Sequence, residues 1–368
     1  MAVAGGNAQG AQAGIIAFSM TMPVFSDDDA TPPVPEDGLP VTPTETCKKI
    51  PAVKLETMSE VLPQERTLRI TVAINPRAAF GGSRTATSGQ IGEMAVERLR
   101  AAGHLVTVLR RRNYAELRHA VDAEIAAGAQ ALVVVGGDGM VHLGVNALVG
   151  SNVPLGIVPA GTGNDAARGL GLDPKDPTAA VARFLHACQN KPRTVDLGRI
   201  STTGTKPVWF MCALSAGFDA LVNERANSWH RPRGPMRYNL AILRELLALK
   251  PRKYALLVDG LPRELSALMI SVANAPSIGG GLQIVPDAQN DDGLLDLFVL
   301  SPVSRWTFLR ILPSVRAGRH TSHPAVRIER VRQVRVDTIS LSAYADGERV
   351  GMLPLTVDVE PGALQVWG

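Results

Sequence analysis

The stretch ALVVVGGDGMVHLGVNAL, residues 131–148, constrains this chain more than any other. Residues 131–135 are an unbroken apolar run, the signature of a short strand buried on both faces. Three glycines and one acid follow, and then Val141, Val145 and Leu148 recur at helical spacing. Gly136, Gly137 and Gly139 let the backbone approach a ligand, and the N–H groups that open the helix are anion donors. A phosphate fits such a turn. Asp138 stands inside it, however, and a carboxylate beside a phosphate is repelled unless a cation lies between them. The motif therefore asks for phosphate together with Mg2+.

Alternation of strand and helix extends on both sides. Residues 68–74 read as a strand ending at Asn75-Pro76 and the loose turn RAAFGGS, before a helix with Ile91, Met94, Ala95 and Leu99 on one face. A second strand covers 105–109 and a second helix 114–127. A fourth strand at 155–158 runs into another glycine-rich turn, PAGTGND, ahead of a short helix at 166–170. A capped helix then starts at Asp176-Pro177. The pattern predicts an α/β domain with a doubly wound parallel sheet. Parallel strands all end on one side, so the turns at Asn75, Gly136 and Gly161 should meet around one crevice.

Beyond Asp196 β-like runs dominate, at 208–214, 254–258, 268–272, 294–300, 326–336 and 339–341, with helical pieces at 219–227 and 236–249. The expected organisation is a leader over 1–66, a nucleotide-binding α/β domain over 67–196 and a mainly antiparallel β domain over 197–352. Strands within 353–368 could return to the first domain. The leader holds nine acids against four Lys or Arg and is rich in Pro, Gly, Ala and Thr, a composition expected to be disordered. Because the whole chain is +4, residues 67–368 carry +9, which favours anionic partners such as nucleotides or an acidic membrane surface. No apolar run has the length of a bilayer span, and the leader lacks the basic start of a signal peptide. Cys47, Cys188 and Cys212 have no paired spacing, which fits a reducing, cytoplasmic setting.

Seven motifs in order carry a family resemblance: INPRAAFGGS, VVVGGDGMVHLGVNAL, PLGIVPAGTGNDAARGLGL, VDLG at 195–198, SAGFDA at 215–220, ANAPSIGGGLQIVPDAQNDDGLLDL and ADGE at 345–348. Together they resemble the diacylglycerol kinase catalytic-domain family, which includes bacterial lipid kinases and the sphingosine kinases. The resemblance implies an NAD kinase- and phosphofructokinase-like first domain, and ATP and Mg2+ as cofactors. It assigns ATP contacts to Asn75, Pro76, Arg77, Gly136, Gly137, Asp138, Gly139, Met140, Thr162, Gly163 and Asn164. It also implies a water and Mg2+ network around the phosphates through Asp138, Asp165 and Asp196, with Glu348 as general base, and a structural Mg2+ held by Asp292 and the carbonyls of Gln289 and Leu294.

Three features depart from the family pattern: Met140 replaces its usual Thr, Leu143 its usual Glu, and the NP turn lacks the common NPxxG form, its glycines arriving later at Gly81 and Gly82. The implied activity is phosphorylation of a diacylglycerol-like hydroxyl to give phosphatidic acid, by an enzyme peripherally bound to an anionic membrane, with no nucleic acid partner. Phosphotransfer on NAD or sphingosine, and a non-catalytic nucleotide or lipid sensor, are the alternatives. Edge strands of the second domain could pair two chains into a homodimer. A basic stretch, Arg225, His230, Arg231, Arg233 and Arg237 around Trp229, is either a solvated face or a headgroup-docking segment.

Overall fold

Helices cover both faces of the first lobe's sheet, which is why its central strand is apolar at every position. The computed structural model describes residues 66–75, 87–111, 113–229 and 235–368; Pro76, Arg77, His230, Arg231, Arg233 and the leader except Arg66 lie outside these. In chain order the lobe is β1 (Arg69–Ile74), α1 (Ser88–Ala101), β2 (Leu105–Arg110), α2 (Tyr114–Ala126), β3 (Ala131–Gly136), α3 (Asp138–Leu148), β4 (Leu155–Pro159), α4 (Asp165–Gly169) and α5 (Pro177–Ala187). The strands run parallel in the order β2-β1-β3-β4. On one face Leu132 and Val134 of β3 join Leu117, Val121, Val145 and Leu148 of α2 and α3. On the other, Ala131, Val133 and Val135 meet Ile91, Ala95 and Leu99 of α1 and Val181 and Phe184 of α5. Local signals set the helix starts: Thr87 and Gln90 form a reciprocal cap on α1, and Asp176 caps α5 with Pro177 at its first position.

The rest of the chain supplies β5 (Arg193–Ser201), β6 (Val208–Phe210), β7 (Ala213–Gly217), α6 (Phe218–Ser228), α7 (Pro235–Leu247), β8 (Arg252–Val258), β9 (Leu261–Ala267), β10 (Met269–Ala273) and β11 (Leu295–Leu300). It ends with α8 (Arg305–Arg316), β12 (Val326–Val331), β13 (Gln333–Asp337), β14 (Ser342–Ala345), β15 (Glu348–Met352) and β16 (Leu355–Val366). An antiparallel sheet of order β12-β11-β10-β7-β14-β15 packs on the far half of a ten-stranded sheet. That larger sheet continues the parallel strands: β2-β1-β3-β4-β16-β13-β8-β9, with β5 pairing β16 and β6. β16 is the seam. Val366 pairs in parallel with Leu155, Leu355 to Asp358 pair antiparallel with β13, and β5 pairs with β16 on both sides of a bulge at Glu360 to Leu364. The outer face of the six-stranded sheet carries α6, α7 and α8 over Ala213, Met269, Ala273, Phe298 and Leu300.

Several boundaries differ from the sequence reading. The run 326–336 is two strands in different sheets, broken at Arg332. Residues 339–341 form no strand: Ile339 is 86% exposed in a turn with Ser340 at φ 50°, and pairing resumes only at Ser342. The expected strand at 208–214 divides around Met211 and Cys212, whose N–H groups are drawn to the Asp346 carboxylate. β9, a charged edge strand, and α8, which contains Pro313, have no counterpart in the sequence expectations.

Phe184 locks the C-terminal residues onto α5: its ring meets Trp367 edge-on at 5.9 Å, and a Cβ on Gly156 would come within 2.5 Å of it. Phe184→Ala should destabilise the fold by about 3–5 kcal/mol, measured by urea unfolding.

Candidate active site

The turns after β3 and β4 meet as expected, at the C-terminal ends of neighbouring parallel strands and beside the end of β1. Asn75 follows β1 and donates its N–H to Val135 O at 3.3 Å, and Ser88 Oγ at the start of α1 donates to Ala160 O at 2.9 Å. Gly136 ends β3, Gly137 is the N-cap of α3, and Asp138 opens the helix. The glycines of the two turns are required by proximity. A Cβ on Gly137 would stand 3.1 Å from Gly161 Cα, one on Gly161 2.9 Å from Gly137 N, and one on Gly163 2.6 Å from Asp138 Oδ2. None of these three backbones is left-handed, so it is space that excludes a side chain. Asn164, at φ 57°, closes the second turn: its Oδ1 accepts from Gly161 N–H and its Nδ2 donates to Gly161 O and Pro174 O, each at 3.0 Å. Thr162 remains exposed at the rim. Met140 turns its side chain back against Gly136, and its N–H donates to Gly137 O at 2.9 Å, while Leu143 is fully buried in the core.

The acids of the predicted network are in two different states. Asp165 is saturated by Ser277 Oγ at 2.9 Å, the N–H groups of Gly280 and Gly281 at 2.6 and 2.8 Å, and Arg168 at 3.1 Å. It ties the second glycine turn to the loop after β10. Asp196 accepts from Gly293 N–H and Gly362 N–H, both at 2.7 Å, so it pins β5 to the 289–294 loop and to the bulge of β16. Both carboxylates act here as positioning groups. Asp138 differs: Ala166 N–H donates to it at 3.0 Å, and no cationic side chain pairs with it among the described residues. Burial, and next the facing Asp165 carboxylate, push its pKa up to about 7. A buried carboxylate short of compensating charge fits a divalent cation, and Asp138 is the side chain that would hold Mg2+ here.

Glu348 begins β15 just after the turn Asp346-Gly347, and its Oε1 lies 2.9 Å from where a Cβ on Gly139 would be. The hairpin of the second lobe thus delivers an exposed carboxylate onto the first turn of α3, a favourable position for negative charge. Tyr114, at the start of α2, is close enough that Glu348 adds to the burial that pushes its phenol up to about 12. Asp346, inside ADGE, has no role among the sequence expectations. At φ 50° its carboxylate accepts the N–H groups of Met211, Cys212 and Ala213 at 2.9, 2.8 and 3.3 Å, and it lies 3.6 Å from His142 Nδ1. The only signal for it was the Asp-Gly pair of a tight hairpin.

At the other expected metal position, Asp292 Oδ1 accepts from Leu294 N–H at 3.0 Å and Oδ2 pairs with Arg330. The charge assigned there to Mg2+ is met by a guanidinium, and as arranged Gln289, Asp292 and Leu294 do not fit a resident metal. His320 is buried against the Ile284 carbonyl at 3.0 Å.

A parallel sheet with paired glycine turns, faced by an acid from a second lobe, has the architecture of a kinase. Residues 69–200 match the diacylglycerol kinase catalytic domain, and residues 212–368 match the YegS C-terminal NAD kinase beta sandwich-like domain. A diacylglycerol kinase of Mycobacterium tuberculosis is 38% identical over 299 residues, covering 81% of this chain and 94% of that relative. A diacylglycerol kinase of Bacillus subtilis is 26% identical over 227 residues, 61% and 72% of the two chains. The crystal structure of a diacylglycerol kinase from Bacillus anthracis str. Sterne has a TM-score of 0.64 at 20% identity over 82% of this chain and 96% of that one, a likeness of fold. The chain belongs to the diacylglycerol kinase family: it is a lipid kinase, and the family implies ATP as a substrate.

Asp138 allows a test of the electrostatics without lipid. A carboxyl raised from 3.8 to about 7 binds more protons folded than unfolded, so its ionisation costs stability as pH rises through that interval, with the full cost above it. Ligand-free Asp138→Asn should match the parent protein near the low end of that interval and melt higher at the slightly alkaline side of it, by thermal unfolding, while its affinity for Mg-nucleotide falls.

Proposed function

We propose that this protein transfers the γ-phosphoryl group of ATP, with Mg2+, to the free hydroxyl of diacylglycerol or a similar lipid, giving phosphatidic acid and ADP. The observation that carries this reading is the meeting of Glu348 with Gly139, a base from one lobe against the phosphate-type turn of the other. Phosphoryl transfer needs little covalent help from the protein: it needs the phosphates held, their charge offset and the nucleophile aligned. The turns at Gly136 to Gly139 and Gly161 to Gly163 supply donors and close backbone approach for the phosphates, with Thr162 at the rim. Mg2+, held by Asp138, would neutralise charge on the transferring group. Glu348 takes the hydroxyl proton as the lipid oxygen bonds to phosphorus and the bond to the β-phosphate oxygen breaks. Because Glu348 is exposed, that proton passes on to solvent.

Diacylglycerol is the acceptor named for the relatives, and sequence identity of 38% across nearly the whole of one of them supports carrying it over. Such a substrate resides in a bilayer, so the same reading includes peripheral membrane association. Among the described residues no helix is long and apolar enough to cross a membrane.

Glu348→Gln should lower lipid phosphorylation by about 100-fold or more while ATP affinity moves little. The measurement is thin-layer separation of products labelled from γ-phosphate, run across diacylglycerol, monoacylglycerol, sphingosine and NAD. A variant that keeps its rate would strip Glu348 of this role, and label appearing on NAD alone would replace the acceptor.

A further inference from the structure

A helix resting on a protein body normally turns its apolar side chains inward; α7 does so on one face and the opposite on the other. Inward, Ala241 and Leu246 join the cluster under the helix layer, and Glu245 pairs with Arg225 of α6. Outward, Met236, Leu240, Leu243 and Leu247 are 66%, 44%, 52% and 57% exposed. Their spacing of four, three and four residues makes one continuous stripe along the helix. Exposed Tyr238 and Arg244 and half-buried Arg237 border it. Residues 235–253 contain five Lys or Arg and one acid, and that acid is the inward Glu245. The neighbouring α8 rests on the same cluster, with Phe308 against Phe218 at 4.8 Å, and exposes Trp306 and Leu309 among Arg305, Arg310 and Arg316.

We propose that α7 is the membrane-docking element of this enzyme: it lies in the surface of an anionic bilayer with Met236, Leu240, Leu243 and Leu247 among the acyl chains and its basic residues on lipid phosphates. An apolar stripe edged by cations, with no outward acid, has the composition of an interfacial helix. Charge decides against a second copy as the occupant, since a two-fold contact would set this cationic face against itself. The expected anchor Trp229 is instead half-buried on the cluster beneath, which leaves the apolar contact to α7. The element is also tied to the chemistry. α7 packs on α6, Glu224 of α6 accepts from Ser342 Oγ of β14 at 3.1 Å, and β14 leads directly into the turn that carries Glu348. A bilayer held by α7 thus lies beside the lobe that presents the base.

The inference rests on the lipid-kinase reading for its purpose, but binding is measured apart from turnover. Full-length protein is sedimented with vesicles of phosphatidylcholine, with and without phosphatidylglycerol. The parent should bind the anionic vesicles, and Leu240→Glu/Leu243→Glu should lose at least about tenfold in affinity, whereas Ile339→Glu, an exposed apolar position off the helix, should not. Met236→Glu/Leu247→Glu repeats the test at the ends of the stripe, and unchanged thermal unfolding certifies each variant as folded. Phosphorylation of vesicle-borne diacylglycerol should fall in step with binding. Equal vesicle affinity of both double variants and parent overturns the proposal, as does a parent that ignores anionic vesicles. A concentration-dependent dimer in ultracentrifugation that the variants abolish also overturns it, in favour of a second copy. If vesicle binding is lost as expected but the parent labels no lipid, docking stands and the kinase reading falls.

Discussion

The closeness of two backbones, at Gly137 and Gly161, governs the architecture of the site. A side chain on Gly161 would enter the main chain of Gly137, and one on Gly137 would crowd that of Gly161, so glycine at both positions lets the ends of β3 and β4 merge into a single surface. The remaining features follow from that closeness. Asn164 adopts a left-handed backbone to bring its amide onto Gly161, and Gly163 stays bare because the Asp138 carboxylate occupies the space where its Cβ would point. The result is a lining made of main chain, which needs no ordering of long side chains.

Division of labour among the carboxylates is the second organising fact. Asp165 and Asp196 are surrounded by donors from loops roughly a hundred or more residues distant in sequence, at separations of 115, 116, 97 and 166. Charge-assisted bonds of this kind are short and directional, and removing the acceptor would strand several buried N–H groups. They tie the second glycine turn and β5 to loops of the second lobe. Asp346 does the same for the hairpin by gathering three consecutive N–H groups between β6 and β7. Asp138 and Glu348 are the acids left with capacity: one is under-compensated and inside, the other is exposed and at the mouth.

Much of the first lobe was legible because each of its signals is local. The apolar run at Ala131 to Val135, the glycines after it and the helix stripe together fix strand, turn and helix within eighteen residues, and repeated alternation makes the sheet parallel. The second lobe was less legible because antiparallel pairing is non-local. Nothing in residues 326–336 announces that Val331 and Gln333 enter different sheets, and the charged alternation of β9 hides an edge strand. Among site residues, the family pattern pointed to acids but not to their states. Whether a carboxylate is a pin or remains available depends on which distant amides reach it, as Gly280 and Gly362 do, and a linear motif carries no such information.

The seam made by β16 bears on how the molecule is assembled in time. During synthesis β1 to β4 emerge early, yet the strand that borders β4 and links it to β13 and β5 is made some two hundred residues later. Until then the nascent α/β half presents an open sheet edge, the sort of surface that recruits wrong strands. Its glycine turns also lack the loops that clamp Asp165 and Asp196. The two halves are therefore interwoven rather than strung in series, and the open side of β4 is covered only when β16 has been laid in.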